Sequence, residues 1–382
     1  MEGLPIRDIE NPYPYYTYMR RASPVYYDDS IGIFNVFKYD DVKWVLSDYS
    51  TFSSQFGKAF NPSGGPFSES IINQDPPRHT QLRNIVAKWF TPRSVAALEP
   101  WIREVSLALL SRVGAGAWDL VEGFSYPLPV MVIARLLGIP DTDLAKFKNW
   151  SDAIVTGAGE GASFPQAIRE ASEYFGRVIE NRRGRIGNDL ISLIVNSEAG
   201  GQGLSEREVM GFIILLLVAG NETTTNLISN AVSVFIQYPS VFDVVKEDRS
   251  LLPQFIEEVL RFRSPVQSIF RVAVKDATIS GTKVPSGSII VPWIGSANHD
   301  EEIFESPEEF HIDREDNKHI AFGEGIHYCL GAPLARLEAR VALEVFLERF
   351  SAVKEDRKIG SSHMESSIVF GYRKLGVETS SE

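Results

Sequence analysis

Phe322-Gly323-Glu324-Gly325-Ile326-His327-Tyr328-Cys329-Leu330-Gly331 holds the only cysteine of a 382-residue chain, set among three glycines. Gly331 and Ala332 lead into Pro333, and proline suits a first helical turn, so a helix is expected to start here. Cys329 would then sit at the positive end of that helix, which favours a thiolate. The glycines let backbone lie close to something flat and bulky and can aim N–H groups at the sulfur. Together these features make a seat for a metal ion with one axial thiolate. A lone cysteine is otherwise a small buried hydrophobe, so the rest of the chain must decide.

Composition narrows the choice. With 44% hydrophobic and 23% charged residues the chain can bury a large core, which excludes global disorder. One cysteine forbids an internal disulfide, fits a reducing cytosol, and cannot supply the ligand set of an iron–sulfur cluster or structural zinc site. A net charge of −12 argues against nucleic acid as the main partner. Met1 to Tyr18 is polar and tyrosine-rich, unlike a signal peptide. The longest apolar run, Phe212 to Ala219, is far short of the ~18 residues of a membrane span. A cytoplasmic protein with no membrane contact is expected.

The pattern predicts a mainly α fold with small β-sheets. A hairpin is expected from Pro24 to Phe37, then a helix capped by Asp40 and running through Leu46. Residues 56–66 read as a loop able to act as a mobile lid, and 156–163 as a second joint. Helices are expected over 80–89, 92–112, 127–138, 141–155, 165–183 and 188–197. The longest spans Ser205 to Gln237, opened by a Ser205/Glu208 capping box and closed by Pro239. At 1.5 Å per residue it makes one rod of roughly 50 Å. A helix over 252–262 precedes short β-branched runs at 269–274, 277–280 and 288–292, which read as a small antiparallel sheet. A helix over 333–350 and a β tail near 368–372 follow. One domain, 1–382, is expected, an α-rich core with a β-rich subregion at about 24–37, 269–293 and 366–372.

Two further constellations carry chemistry. The rod's middle, Ala219-Gly220-Asn221-Glu222-Thr223-Thr224-Thr225, is polar between apolar flanks. Ala219 and Gly220 leave room beside it, while Glu222 and Thr223 supply a carboxylate and a hydroxyl. Mid-helix threonines bond back to the preceding turn and loosen it. A close-packing patch is the alternative, but a glutamate in an apolar helix is rare without purpose. Glu258 and Arg261 stand at i and i+3, which places their charges together. Arg314 could add a second fork to the same carboxylate.

Cysteine loop, acid–alcohol helix and Glu-x-x-Arg pair, in this order, resemble the cytochrome P-450 haem-thiolate monooxygenases. Residues 322–331 match that family's F-x-x-G-x-x-x-C-x-G loop, and the likeness extends to Asp75-Pro76-Pro77 and His79-Thr-Gln-Leu-Arg83. The Gly-Asn-Glu-Thr-Thr-Thr run resembles those of thermophilic archaeal members. The resemblance implies haem b between the central helix and the helix after Cys329, with Cys329 as axial ligand of the iron and Phe322 packed beside the sulfur. It implies propionate contacts from His79, Arg83, Arg271 and His327, and Ala219 and Gly220 beside the haem. Thr223 and Glu222 become the catalytic pair, Glu222 standing where many members have Asp, and Glu258, Arg261 and Arg314 a structural triad. The implied reaction inserts one oxygen atom from O2 into a small hydrophobic substrate. Electrons would come from a ferredoxin-like donor docking near Lys88, Arg93 and Arg336, onto a monomer. The substrate pocket would be lined by 56–72, 155–165, 216–219, 266–269 and 367–370. A peroxygenase, or a haem-thiolate sensor without turnover, is the alternative function.

Overall fold

Two short strands with unbroken burial set the centre of the main sheet. Ile33–Val36 is buried at all four positions and Ile289–Pro292 at three, the pattern of strands covered on both faces. They pair in parallel, Ile33 opposite Ile289. Val25–Asp28 adds antiparallel on one side, and Arg271–Ala273 then Phe52–Ser53 on the other. The sheet is therefore mixed and five-stranded, which corrects the small antiparallel sheet expected from 269–292 alone. The 277–279 run leaves it to form a separate hairpin with 282–284. The computed structural model describes residues 8–55, 69–147, 149–150, 163–185, 187–199 and 201–381. The expected lid at 56–66 and all of the 156–163 joint except Ser163 lie outside the described residues.

By contacts the chain falls into two units, one of Met1–Ser54, Glu99–Ser125 and Thr223–Glu382, the other of Gln55–Leu98 and Tyr126–Glu222. In the first, helix Ala332–Arg349 packs against Glu99–Val113 and Leu252–Phe262. Phe235 of helix Glu222–Gln237 stacks on Phe255 at 4.4 Å. The C-terminal strand is longer than the expected tail: Tyr372–Ser380 pairs with Ala352–Glu355, Ser361–His363 and Gly116–Asp119. Gly116–Asp119 has no alternating pattern to mark it; Trp118 Nε1 ties it to Thr379 Oγ1 at 3.0 Å.

Asp40 lies in the first turn of helix Tyr39–Ser47 and does not cap it. The Tyr39 N–H instead donates to Asp300 Oδ2 at 2.8 Å, a cap brought from 261 residues away. In the second unit, helix Glu206–Ala219 packs against Pro127–Leu136, Ser163–Arg182 and Leu190–Val195. Its capping box is present: Glu208 N–H donates to Ser205 Oγ at 3.2 Å, and Ser205 N–H to Glu208 Oε2 at 2.9 Å.

The single long rod is not continuous. Helix ends at Ala219, turns through Gly220 and Asn221, and resumes as Glu222–Gln237. Glycine carries the largest conformational-entropy cost in a helix, and asparagine competes for backbone hydrogen bonds, so the break falls at the weakest pair. By length and composition 206–237 could cross a membrane, but 67% of its apolar window is buried, as in a core helix.

Candidate active site

The cysteine loop is shaped by its glycines, two of which its own backbone requires. Gly323 and Gly325 have φ of +75° and +71°, a region costly for side-chain-bearing residues. A Cβ on Gly325 would lie 2.8 Å from Ser47 Cα, so this loop rests directly on the end of helix Tyr39–Ser47. At Gly331 a Cβ would stand 4.0 Å from Cys329 Sγ, an ordinary contact, and φ is −83°. The loop closes with Cys329 N–H donating to Phe322 O at 2.8 Å and Gly323 N–H to Ile320 O at 2.8 Å. Helix Ala332–Arg349 then starts with Gly331 as its cap and Pro333 in its first turn. Cys329 is half-buried, and His327 closes the short turn before it.

Helix Leu252–Phe262 carries a buried ionic cluster. Glu258 Oε1 accepts from Arg261 Nη2 at 2.7 Å, Arg314 Nε at 3.0 Å and the His311 N–H at 3.1 Å. Oε2 accepts from Arg261 Nε at 2.9 Å and Asn317 Nδ2 at 3.0 Å. Arg261 spends its other donor on the carbonyls of Asn298 and Pro307. Glu258 and Arg261 are 1% and 0% exposed. His311 and Asn317 had no local signal to mark them, because only the path of the 309–317 segment brings them to the carboxylate.

Phe322 is covered by the Arg336 guanidinium, 4.4 Å above its ring. Arg336 is also forked onto Glu257, at 2.7 Å from each oxygen. It is thus engaged, whereas Lys88 and Arg93, expected to share a docking face with it, are exposed residues of the other unit. Arg271 is buried, with Nη1 donating to Phe270 O at 2.9 Å. Two expected pocket segments come together: Val266 bridges Val369, and Gln267 N–H donates to Ile368 O at 2.7 Å.

His79, Arg83, Ala219, Gly220 and Glu222 belong to the second unit, and Thr223, Arg271, Phe322, His327 and Cys329 to the first. His79 is buried on helix Arg78–Val86, with Arg83 one turn on. Burial and then the Arg83 charge push its imidazole down to about 4, so it stands as a neutral N–H donor. Ala219 is exposed at the end of its helix. A Cβ on Gly220 would meet Ile133 Cδ1 at 2.5 Å and Leu216 O at 2.9 Å, so packing within the unit already demands this glycine.

Glu222 opens the second half of the broken helix beside Thr223. Burial raises its carboxyl to about 7. Between the ordinary carboxyl value and about 7 the folded chain binds more protons here than the unfolded one. Stability from this group is therefore full below the ordinary value and is lost as pH rises through about 7. Glu222→Gln should flatten that loss, worth up to ~3 kcal/mol, in denaturant unfolding compared at acid and mildly alkaline pH. An unchanged pH slope would refute the raised carboxyl.

Among the described residues no group of three or more His, Cys, Asp or Glu could hold a metal ion. A single thiolate cannot complete the shell of a bare ion, but it suits an iron already held by a macrocycle. The donor set therefore fits haem.

Comparison with known proteins agrees with this donor set. The cytochrome P-450 family model matches residues 133–377. Cytochrome P-450 109 of Bacillus spizizenii is 41% identical over 381 residues, covering 96% of this chain and 91% of the relative. Cytochrome P-450 119 of Sulfurisphaera tokodaii is 40% identical over 380 residues, covering 96% of this chain and 98% of the relative. The two identities are nearly equal, so the likeness of the Gly-Asn-Glu-Thr-Thr-Thr run does not single out one source. The substrate-free structure of CYP109E1 from Bacillus megaterium superposes with a TM-score of 0.93 at 42% identity, over 98% of this chain and 100% of that one. The same protein in complex with testosterone gives 0.90 at 42% identity, over 97% and 98%. Matches of this length and identity carry one conclusion: the chain belongs to the cytochrome P-450 family and is a haem-thiolate monooxygenase.

Proposed function

We propose that the chain binds haem b through Cys329 and oxidises a hydrophobic substrate in the cytoplasm as a monomer, drawing electrons from a ferredoxin-like donor. In this reading 1–382 acts as one haem domain. The observation that carries it is the single thiolate donor in a loop held by Gly323 and Gly325, together with an acid–alcohol pair whose acid titrates near neutrality. The haem, when bound, supplies oxygen activation, favoured by electron density from the thiolate.

The chain's residues do the rest. Arg83, Arg271 and His327 would hold the propionates, with His79 as a neutral donor, because buried carboxylates need such partners. Thr223 would present its hydroxyl to the oxygen-binding site. Glu222, close to half-protonated near pH 7, can both take a proton from water and pass it on. Ala219 and Gly220 keep the adjoining surface low. The half-buried apolar side chains of Val266, Ile269, Ile368 and Val369 exclude water and favour an apolar substrate. The testosterone complex of CYP109E1 makes a steroid the first candidate. Titration with testosterone should convert the ferric Soret band from low to high spin; no shift would remove steroids from the proposal.

Thr223→Ala should leave haem bound but divert electrons to peroxide, with product per reductant falling roughly 100-fold, the lower end of acid–base contributions. Coupling as tight as in the unsubstituted protein would refute the role of the hydroxyl.

A further inference from the structure

The helix Leu252–Phe262 carries two adjacent glutamates, and only Glu258 is used above. Glu257 heads a separate cluster. Its Oε1 accepts from Arg336 Nε and its Oε2 from Arg336 Nη2, both at 2.7 Å. His319 Nε2 lies 3.0 Å from the same Oε2. The Ala321 N–H points to His319 Nδ1 at 3.3 Å, which makes Nδ1 the acceptor and leaves Nε2–H to donate to Glu257. Burial pushes the Glu257 carboxyl up, but the hydrogen bonds from Arg336 and His319 and the Arg336 charge outweigh it and bring it down to about 2.

The positions of these partners along the chain matter more than their number. His319 immediately precedes the stretch 320–331, and Arg336 lies in the helix that follows it. Both flanks of the cysteine loop are thus tied to one carboxylate. Arg336 also lies over the Phe322 ring at 4.4 Å and reaches the Tyr328 hydroxyl at 3.4 Å. Phe322 in turn accepts the Cys329 N–H at 2.8 Å. An unbroken series of contacts runs from Glu257 through Arg336 and Phe322 to Cys329. An isolated ion pair whose side chains are 31% and 34% exposed contributes little to stability. A planar fork with a third donor and a stacked ring instead fixes orientation.

We propose that Glu257, Arg336 and His319 are positioning residues that hold Phe322, and through it the Cys329 sulfur, in the geometry that keeps the thiolate on iron. This rests on Cys329 being the haem ligand. It also takes Arg336 out of the docking role that its charge suggests.

Glu257→Gln and Arg336→Lys separate the two roles in the full-length haem protein. Glu257→Gln leaves the arginine charge in place, and Arg336→Lys keeps a cation while losing the fork and the planar stack. Ferrous protein under carbon monoxide is followed over time, well below the melting temperature, for loss of the red-shifted Soret band. Both variants should lose it about three- to tenfold faster than the unsubstituted protein, as for one typical hydrogen bond, with far-UV melting little changed. Two results would overturn the proposal: unchanged band lifetimes in both variants, or faster loss that merely tracks an equal fall in global stability. A wild-type protein without the red-shifted band would instead overturn the haem-ligand assignment, and this proposal with it.

Discussion

Cys329→Ser is expected to abolish the red-shifted Soret band of the ferrous carbon monoxide form and to take monooxygenase turnover below detection. A serine hydroxyl stays protonated where a thiol at this site can ionise, so the donor that favours O–O cleavage is lost. The fold should survive. The loop is held by backbone: Cys329 N–H to Phe322 O, Gly323 N–H to Ile320 O, and the left-handed Gly323 and Gly325. None of these involves the sulfur. Circular dichroism should therefore match the parent protein while the carbon monoxide difference spectrum does not. A serine variant that kept the band would sink the assignment of Cys329.

Glu258→Ala should be the most destabilising single change in the protein. It leaves Arg261, fully buried, and Arg314, 7% exposed, facing an empty site. Removing one partner of a buried ion pair costs about 3–5 kcal/mol, against a total of about 5–15 kcal/mol for a typical domain. The His311 N–H and Asn317 Nδ2 lose their acceptor as well. The variant should express poorly and bind little haem, with a melting temperature far below that of Glu257→Gln, whose side chain is 31% exposed. A stable, haem-replete Glu258→Ala protein would contradict the role given to the cluster.

The two glutamates also mark what local sequence can carry. Glu258 and Arg261 stand at i and i+3, a helical neighbourhood that the spacing itself encodes. Glu257 is one residue away and carries no such local mark, because its partners lie 62 and 79 residues on. The same holds for Arg336: its charge was visible in the sequence and the carboxylate that takes it was not. The capping box at Ser205 was legible, being contained in four residues, whereas the Asp300 cap of helix Tyr39–Ser47 was not.

By itself the sequence determined the chemistry: one thiolate donor, an adjacent acid and alcohol, a glutamate–arginine pair, and enough helical periodicity to place them. These depend on residue type and on spacings of a few positions, which backbone geometry converts directly into proximity. Only the tertiary structure decided that Ile289–Pro292 pairs in parallel with Ile33–Val36. It alone broke the central rod at Gly220 and Asn221, set Gly325 against Ser47, and closed Arg336 over Phe322. Each of these except the break joins segments distant in the chain. The break depends on whether packing compensates a weak pair, and local propensity differs there by only about 1 kcal/mol. Contacts of that kind have no period to read, so the cysteine loop could be recognised in the sequence while the supports that fix its shape could not.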